Sequence, residues 1–87
     1  VCGDTIIWKP SEQTPLVSLA THKICQAIEQ RFDCHGVFNL VLGDGPELGK
    51  RLASDTRLPL ISATGSTKMG KSVAVAVAER FGKAILE

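Results

Sequence analysis

The sequence predicts an α/β fold in which the strands of a parallel sheet alternate with covering helices. Two observations carry that expectation. Apolar runs of strand length recur four times along the 87 residues, and helix-start chemistry or apolar residues at helical spacing follow each of the first three. Strict alternation of strand and helix is the pattern of a parallel sheet, because parallel neighbours need a crossover between them.

Thr5-Ile6-Ile7-Trp8 opens as a buried strand and stops at Lys9-Pro10, where proline lacks an amide for the ladder. Thr14-Pro15 then supplies a cap and a first-turn proline. Leu16, Leu19, Ala20, Ile24, Ala27, Ile28 and Phe32 recur at helical spacing behind them and predict the first helix, with those residues on its inner face. Val37-Phe38-Asn39-Leu40-Val41-Leu42 reads as the second strand, ended by Gly43-Asp44-Gly45. Pro46 opens a short helix that turns Leu48 and Leu52 inward and fades near Ser54-Asp55. A third strand follows in Leu58-Pro59-Leu60-Ile61-Ser62-Ala63, with proline at its start. Val73-Ala74-Val75-Ala76-Val77-Ala78 alternates like a strand, yet alanine favours a helix, and Met69, Val73, Val77 and Phe81 line one helical face. A third helix is therefore expected there, with Gly82 as its C-terminal glycine and residues 83–87 as a fourth strand.

Composition narrows the function classes. Ten Lys and Arg against nine Asp and Glu leave a net charge of +1, without the basic excess that an electrostatic nucleic-acid binder needs. With 44% hydrophobic residues the chain is not of the disordered class. No apolar run reaches the roughly 18–20 residues of a membrane span, and the first residues lack the layout of a signal peptide. Cys2, Cys25 and Cys34 are odd in number and match no zinc spacing, so ordinary thiols in a reducing, cytoplasmic setting are expected and no metal site. His22 is expected on the surface of the first helix. Cys34-His35 is not read as a catalytic pair, since adjacent side chains point apart. The missing initial Met and the apolar ending predict a piece of a longer protein.

In parallel sheets ligands bind beyond the carboxyl ends of the strands. After the first strand, Lys9 and Glu12 form a cation–anion pair three residues apart, suited to the hydroxyls of a ribose or to a phosphate, or else a solvated turn. After the second, Gly43, Gly45 and Gly49 resemble a dinucleotide fingerprint that is one residue too long. After the third, Gly65-Ser66-Thr67-Lys68-Met69-Gly70-Lys71-Ser72 fits the phosphate-loop formula, which gives an alternative reading: a nucleoside triphosphatase, with Lys71 on the outer phosphates and Ser72 on magnesium. That chemistry wants a metal-binding Asp at a strand end, and Asp44 is set off from its strand by Gly43.

Trp8-Lys9-Pro10-Ser11-Glu12-Gln13-Thr14-Pro15, Gly36-Val37-Phe38-Asn39, Gly43-Asp44-Gly45 through Gly49, Thr64-Gly65-Ser66-Thr67 through Gly70, and Leu86-Glu87 fall in order along the chain. With these five linked motifs the chain resembles a segment of the cofactor domain of the aldehyde dehydrogenase superfamily. The resemblance makes the phosphate-loop formula a coincidence. It implies a Rossmann-like parallel sheet, part of a larger fold, with residues 1–87 forming a partial NAD-binding domain. It also implies that the catalytic cysteine and the regions of oligomerisation lie elsewhere in the parent. By the same resemblance Lys9 and Glu12 bind the adenosine ribose, Glu12 favours NAD by repelling a 2′-phosphate, and Gly45 and Gly49 flank the adenine. Thr64, Gly65 and Ser66 meet the cofactor, Ser66 at its pyrophosphate, and Met69 packs near it. Glu87 is the general base that activates water against a thioester. The expected parent is a homo-oligomer, dimer or tetramer, cytoplasmic with the mitochondrion as alternative, acting on a small aldehyde. Ser62-Ala63-Thr64-Gly65-Ser66-Thr67 with Met69-Gly70 looks more like the antiquitin-like branch of lysine breakdown, whose substrate is aminoadipate semialdehyde. The isolated segment is expected to be inert.

Overall fold

The computed structural model describes residues 3–87, so Cys2 lies outside the described residues. The chain divides into two compact units, residues 1–44 and 45–87, and each contains one strand–helix–strand crossover.

In the first unit β1 (Ile6–Trp8) and β2 (Phe38–Leu40) pair in parallel, with Ile6 opposite Phe38 and Trp8 opposite Leu40. Both are shorter than their apolar runs, and single bonds extend the ladder beyond them, from Ile6 N to Val37 O and from Val41 N to Trp8 O. The crossover is α1 (Pro15–Arg31), whose fixed proline φ suits a first turn. Thr14 precedes it without capping through its side chain. Instead the Thr14 carbonyl accepts from Ser18 N at 3.1 Å and from Ser18 Oγ at 2.7 Å.

The apolar stripe of α1 does not face the sheet. Ser18 is buried and His22, Cys25 and Glu29 half-buried, whereas Leu16, Leu19, Ala20, Ile24, Ala27, Ile28 and Phe32 are exposed. The polar face is tied inward by bonds that periodicity cannot reveal: Glu29 Oε1 accepts from Phe38 N at 2.6 Å, and the His22 ring lies 6.3 Å from that of Phe38. His22 is therefore not a surface residue. β1 is likewise not a buried strand, since Ile6 and Ile7 are nearly half exposed; it pairs with β2, on which α1 packs.

In the second unit a π-helical turn (Gly45–Gly49) runs into α2 (Lys50–Ser54). β3 (Leu60–Ala63) and β4 (Lys83–Leu86) pair in parallel across α3 (Thr67–Glu79), with Ala63 opposite Leu86. α3 packs on α2, β3 and β4, and its Val77 (1% exposed) and the Ala53 of α2 form the buried core.

Both long helices close in the same way. At the end of α1 Cys34 N bonds Glu29 O and Asp33 N bonds Gln30 O; at the end of α3 Gly82 N bonds Val77 O and Phe81 N bonds Ala78 O. This closure puts the residue after the C-cap in the left-handed region, here Asp33 (φ 50) and Phe81 (φ 57). Gly82 thus stands one place beyond the expected C-terminal glycine. Phe81 leaves the inner face of α3 and is 98% exposed.

Candidate functional site

The carboxyl end of each strand delivers one group of candidate residues. Beyond β1, Pro10 is buried and the next residues fold into a tight turn, with Gln13 N bonded to Ser11 Oγ and Thr14 N to Ser11 O. That turn brings Lys9 Nζ within 3.6 Å of Glu12 Oε2, and Nζ also donates to Pro10 O at 3.0 Å. The Lys9 side chain is mostly covered and that of Glu12 is open. A pre-oriented carboxylate with a fixed ammonium beside it is a receptor for vicinal hydroxyls.

Gly45 and Gly49 bound the π-helical turn at the start of the second unit. The wider turn replaces the ordinary helix start that Pro46 suggests. Gly45 does not adopt a left-handed φ, and a Cβ built on it meets nothing within 4 Å. Neither strain nor crowding inside its unit calls for glycine there.

The densest group lies where β3 and β4 end. Ser66 is the N-cap of α3, its Oγ accepting from Met69 N at 3.2 Å, and its carbonyl accepts from Gly70 N at 2.9 Å. The amides of Thr67 and Lys68 precede the first intrahelical bond and remain available to an anion. The thioether methyl of Met69 lies 2.5 Å from where a Cβ on Gly65 would stand, so Met69 packs on that glycine. A cavity of about 290 Å³ opens beside the helix start, lined by Ser66, Thr67, Gly70, Lys71, Leu86 and Glu87 among others. Thr64 precedes this lining in the chain, and its Oγ1 donates to Glu87 Oε2 at 3.3 Å.

This geometry corrects the phosphate-loop alternative. A loop of that kind wraps phosphates with backbone that has not yet entered a helix. Here α3 begins at Thr67, so Lys68 to Ser72 are helical and the amides of Met69 and Gly70 are already bonded to Ser66. Lys71, to which the dehydrogenase reading gives no role, nevertheless lines the cavity, one helical turn along from Thr67. The thiols of Cys25 and Cys34 are free and half-buried in the first unit. Among the described residues, no three His, Cys, Asp or Glu side chains are grouped to hold a metal ion, and no helix is long and apolar enough to cross a membrane.

Comparison with known proteins gives this arrangement a family context. The model of the aldehyde dehydrogenase family matches residues 1–87. The chain is 44% identical over 88 residues to aldehyde dehydrogenase family 7 member A1 of Malus domestica and 43% identical to the alpha-aminoadipic semialdehyde dehydrogenase of Mus musculus. It matches over its full length, yet spans only 17% and 16% of those two proteins. Among solved structures it superposes on a variant of aldehyde dehydrogenase C from Pseudomonas syringae in complex with NAD+ and octanal. There the TM-score is 0.80 at 37% identity, with 95% of this chain and 16% of that one covered.

Proposed function

This chain belongs to the aldehyde dehydrogenase family, and from that premise we propose that it is the partial NAD-binding domain of an enzyme that oxidises an aldehyde to a carboxylic acid through a cysteine thioester. The observation that carries this reading is the shared cavity at the ends of β3 and β4, where the phosphate-receptive start of α3 and the Glu87 carboxylate line one space. An anchor for the cofactor and a base for the acyl group are both needed close to the reacting carbon.

The residues present fit NAD in their donor chemistry. Ser66 Oγ is occupied as an acceptor by Met69 N, which leaves its hydroxyl proton for a pyrophosphate oxygen beside the open amides of α3. The Gly45 backbone offers a face that no Cβ obstructs, suited to the flat adenine, with Gly49 on its other side. Lys9 and Glu12 receive the ribose hydroxyls, and the Glu12 carboxylate repels a 2′-phosphate, which sets the preference for NAD. Thr64, Gly65 and Met69 border the same helix start. When bound, NAD supplies the oxidant that accepts a hydride from the substrate carbon.

Glu87 acts after that transfer. Its carboxylate takes a proton from water as the oxygen attacks the thioester carbonyl, and the acid and the cysteine thiol are released. The nucleophilic cysteine belongs to another part of the parent, so the segment by itself is inert. Aminoadipate semialdehyde is the substrate we favour, on the strength of the similarity to the mouse enzyme of that name. The parent is proposed to be a cytoplasmic homo-oligomer.

The test is Glu87→Gln in the full-length enzyme. A pre-steady-state burst of reduced cofactor should persist while steady turnover falls by about 10²-fold or more, the range that general-base catalysis contributes. Unchanged turnover would remove Glu87 from the mechanism.

A further inference from the structure

We infer that Lys71 is a site of self-acylation, where the lysine amine captures the acyl group of the thioester in competition with the water that Glu87 activates. The inference rests on the thioester chemistry and the general-base role proposed above. The placement comes from α3. Thr67, Gly70, Lys71 and Ala74 fall on the face of that helix that borders the cavity, and Glu87 borders it from just beyond β4. Gly70 and Ala74 are small, and a Cβ built on Gly70 meets nothing within 4 Å, so the flexible lysine stem has room to lie along the wall. Lys71 and Glu87 carry the charges of this lining, and among the described residues Lys71 takes part in no ion pair. A general base acts directly or through one water, which brings the acyl carbon to this cavity. An amine on the same wall shares that proximity.

Amines add to thioesters more readily than neutral water does, and confinement raises their effective concentration. The ammonium form is inert, so one proton first passes to solvent, which the exposed Lys71 side chain meets. The free amine then attacks the acyl carbon. A C–N bond forms, the C–S bond breaks, and the second nitrogen proton goes to the departing cysteine thiolate. No oxidant enters, because the hydride has already gone to NAD when the thioester exists. The resulting amide is far less reactive than the thioester, so each capture is lasting. It removes a positive charge and leaves the acyl group beside Glu87, and activity declines with use.

The experiment runs the full-length enzyme with NAD and aminoadipate semialdehyde and locates adducts by peptide mass spectrometry. Lys71 should gain the mass of the acyl group in proportion to the turnovers completed. Lys68, three residues earlier on α3 but outside the cavity lining, should stay unmodified. Omitting NAD should abolish the adduct. In Glu87→Gln the thioester waits longer for water, so the yield per turnover should rise by the factor that hydrolysis slows, on the order of 10²-fold. Lys71→Arg keeps a charge without a nucleophilic amine; its initial turnover should be normal, and both the adduct and the decline with use should vanish. A burst of reduced cofactor with Lys71 unmodified overturns the inference, as does an adduct that forms without NAD or equally on Lys68. If Glu87→Gln slows hydrolysis and Lys71 stays unmodified, only self-acylation fails; if Glu87→Gln has no effect, or no burst forms, the reading of the site fails and self-acylation falls with it.

Discussion

Arg80 reaches from the C-terminus of α3 to the end of α2, where its Nε donates to the Ala53 carbonyl at 2.7 Å. A short helix such as α2 leaves carbonyls without partners at its end, and a cation there satisfies one and complements the helix dipole. The same guanidinium lies over Gly82, where a Cβ would come within 2.7 Å of Arg80 Nη1 and 3.0 Å of Val77 Cγ1. Val77 is buried and cannot give way, so Arg80 must.

Gly82→Ala is therefore expected to destabilise the protein by dislodging the Arg80 cap. Arg80→Ala removes the cap directly, at a cost of about 1.5–3 kcal/mol for a hydrogen bond to a charged group. Because both substitutions break the same hydrogen bond, the double variant should lose clearly less than the sum of the two, as read from urea midpoints. Additive losses would mean that Gly82 matters for a reason other than the approach of Arg80.

The Arg80 cap also marks how far the sequence could be read, since no local pattern announces it. The order of elements was legible because prolines and glycines bound each apolar run, and α3 was legible because alanine favours a helix despite the alternating valines. The inward face of α1 was not. Periodicity locates a stripe, but the link between α1 and β2 is made from the polar face, where Glu29 holds Phe38 N. The π-helical turn and the left-handed Phe81 were hidden for a related reason: Pro46 signals a helix start without fixing its width, and Gly82 beside Phe81 draws the C-terminal assignment one residue on. Within the candidate site, Glu87 and Ser66 are named by motif, whereas the Thr64–Glu87 hydrogen bond depends on strand register between residues 23 positions apart in the chain.

Acid should weaken the turn between α2 and β3. Arg57 forks onto Asp55, with Nε on Oδ1 at 3.0 Å and Nη2 on Oδ2 at 2.6 Å, and Arg57 N also bonds Oδ1. These bonds, the guanidinium's first, hold the Asp55 carboxyl far below the usual carboxylate range, and the carboxylate in turn raises Arg57. A folded-state value below the unfolded one means that the stabilisation is present at neutral pH and is lost as pH falls through and below about 4. Asp55→Asn should lower the thermal midpoint slightly at pH 7, as befits an exposed pair. The difference from the unsubstituted protein should narrow as pH is lowered from 4 towards 2. A gap that stays constant over that range would assign the effect to the backbone turn and not to the charge.

The proposed function makes the open carboxylate of Glu12 the seat of cofactor choice. Lys9 Nζ is held by both Pro10 O and Glu12, so the ammonium stays in place when the carboxylate is removed. In the full-length enzyme Glu12→Ser should therefore do two things at once. It removes the repulsion of a 2′-phosphate and frees the Lys9 charge to attract one, so kcat/KM for NADP should rise while that for NAD falls with the loss of an acceptor for the ribose hydroxyls. A shift of about tenfold or more in the ratio is expected, because NAD gives up a charge-assisted hydrogen bond and NADP acquires one. Lys9→Met in the same background should reverse the gain for NADP but leave the loss for NAD. If the ratio does not move in either variant, the turn after β1 is a solvated surface feature and the specificity lies elsewhere in the enzyme.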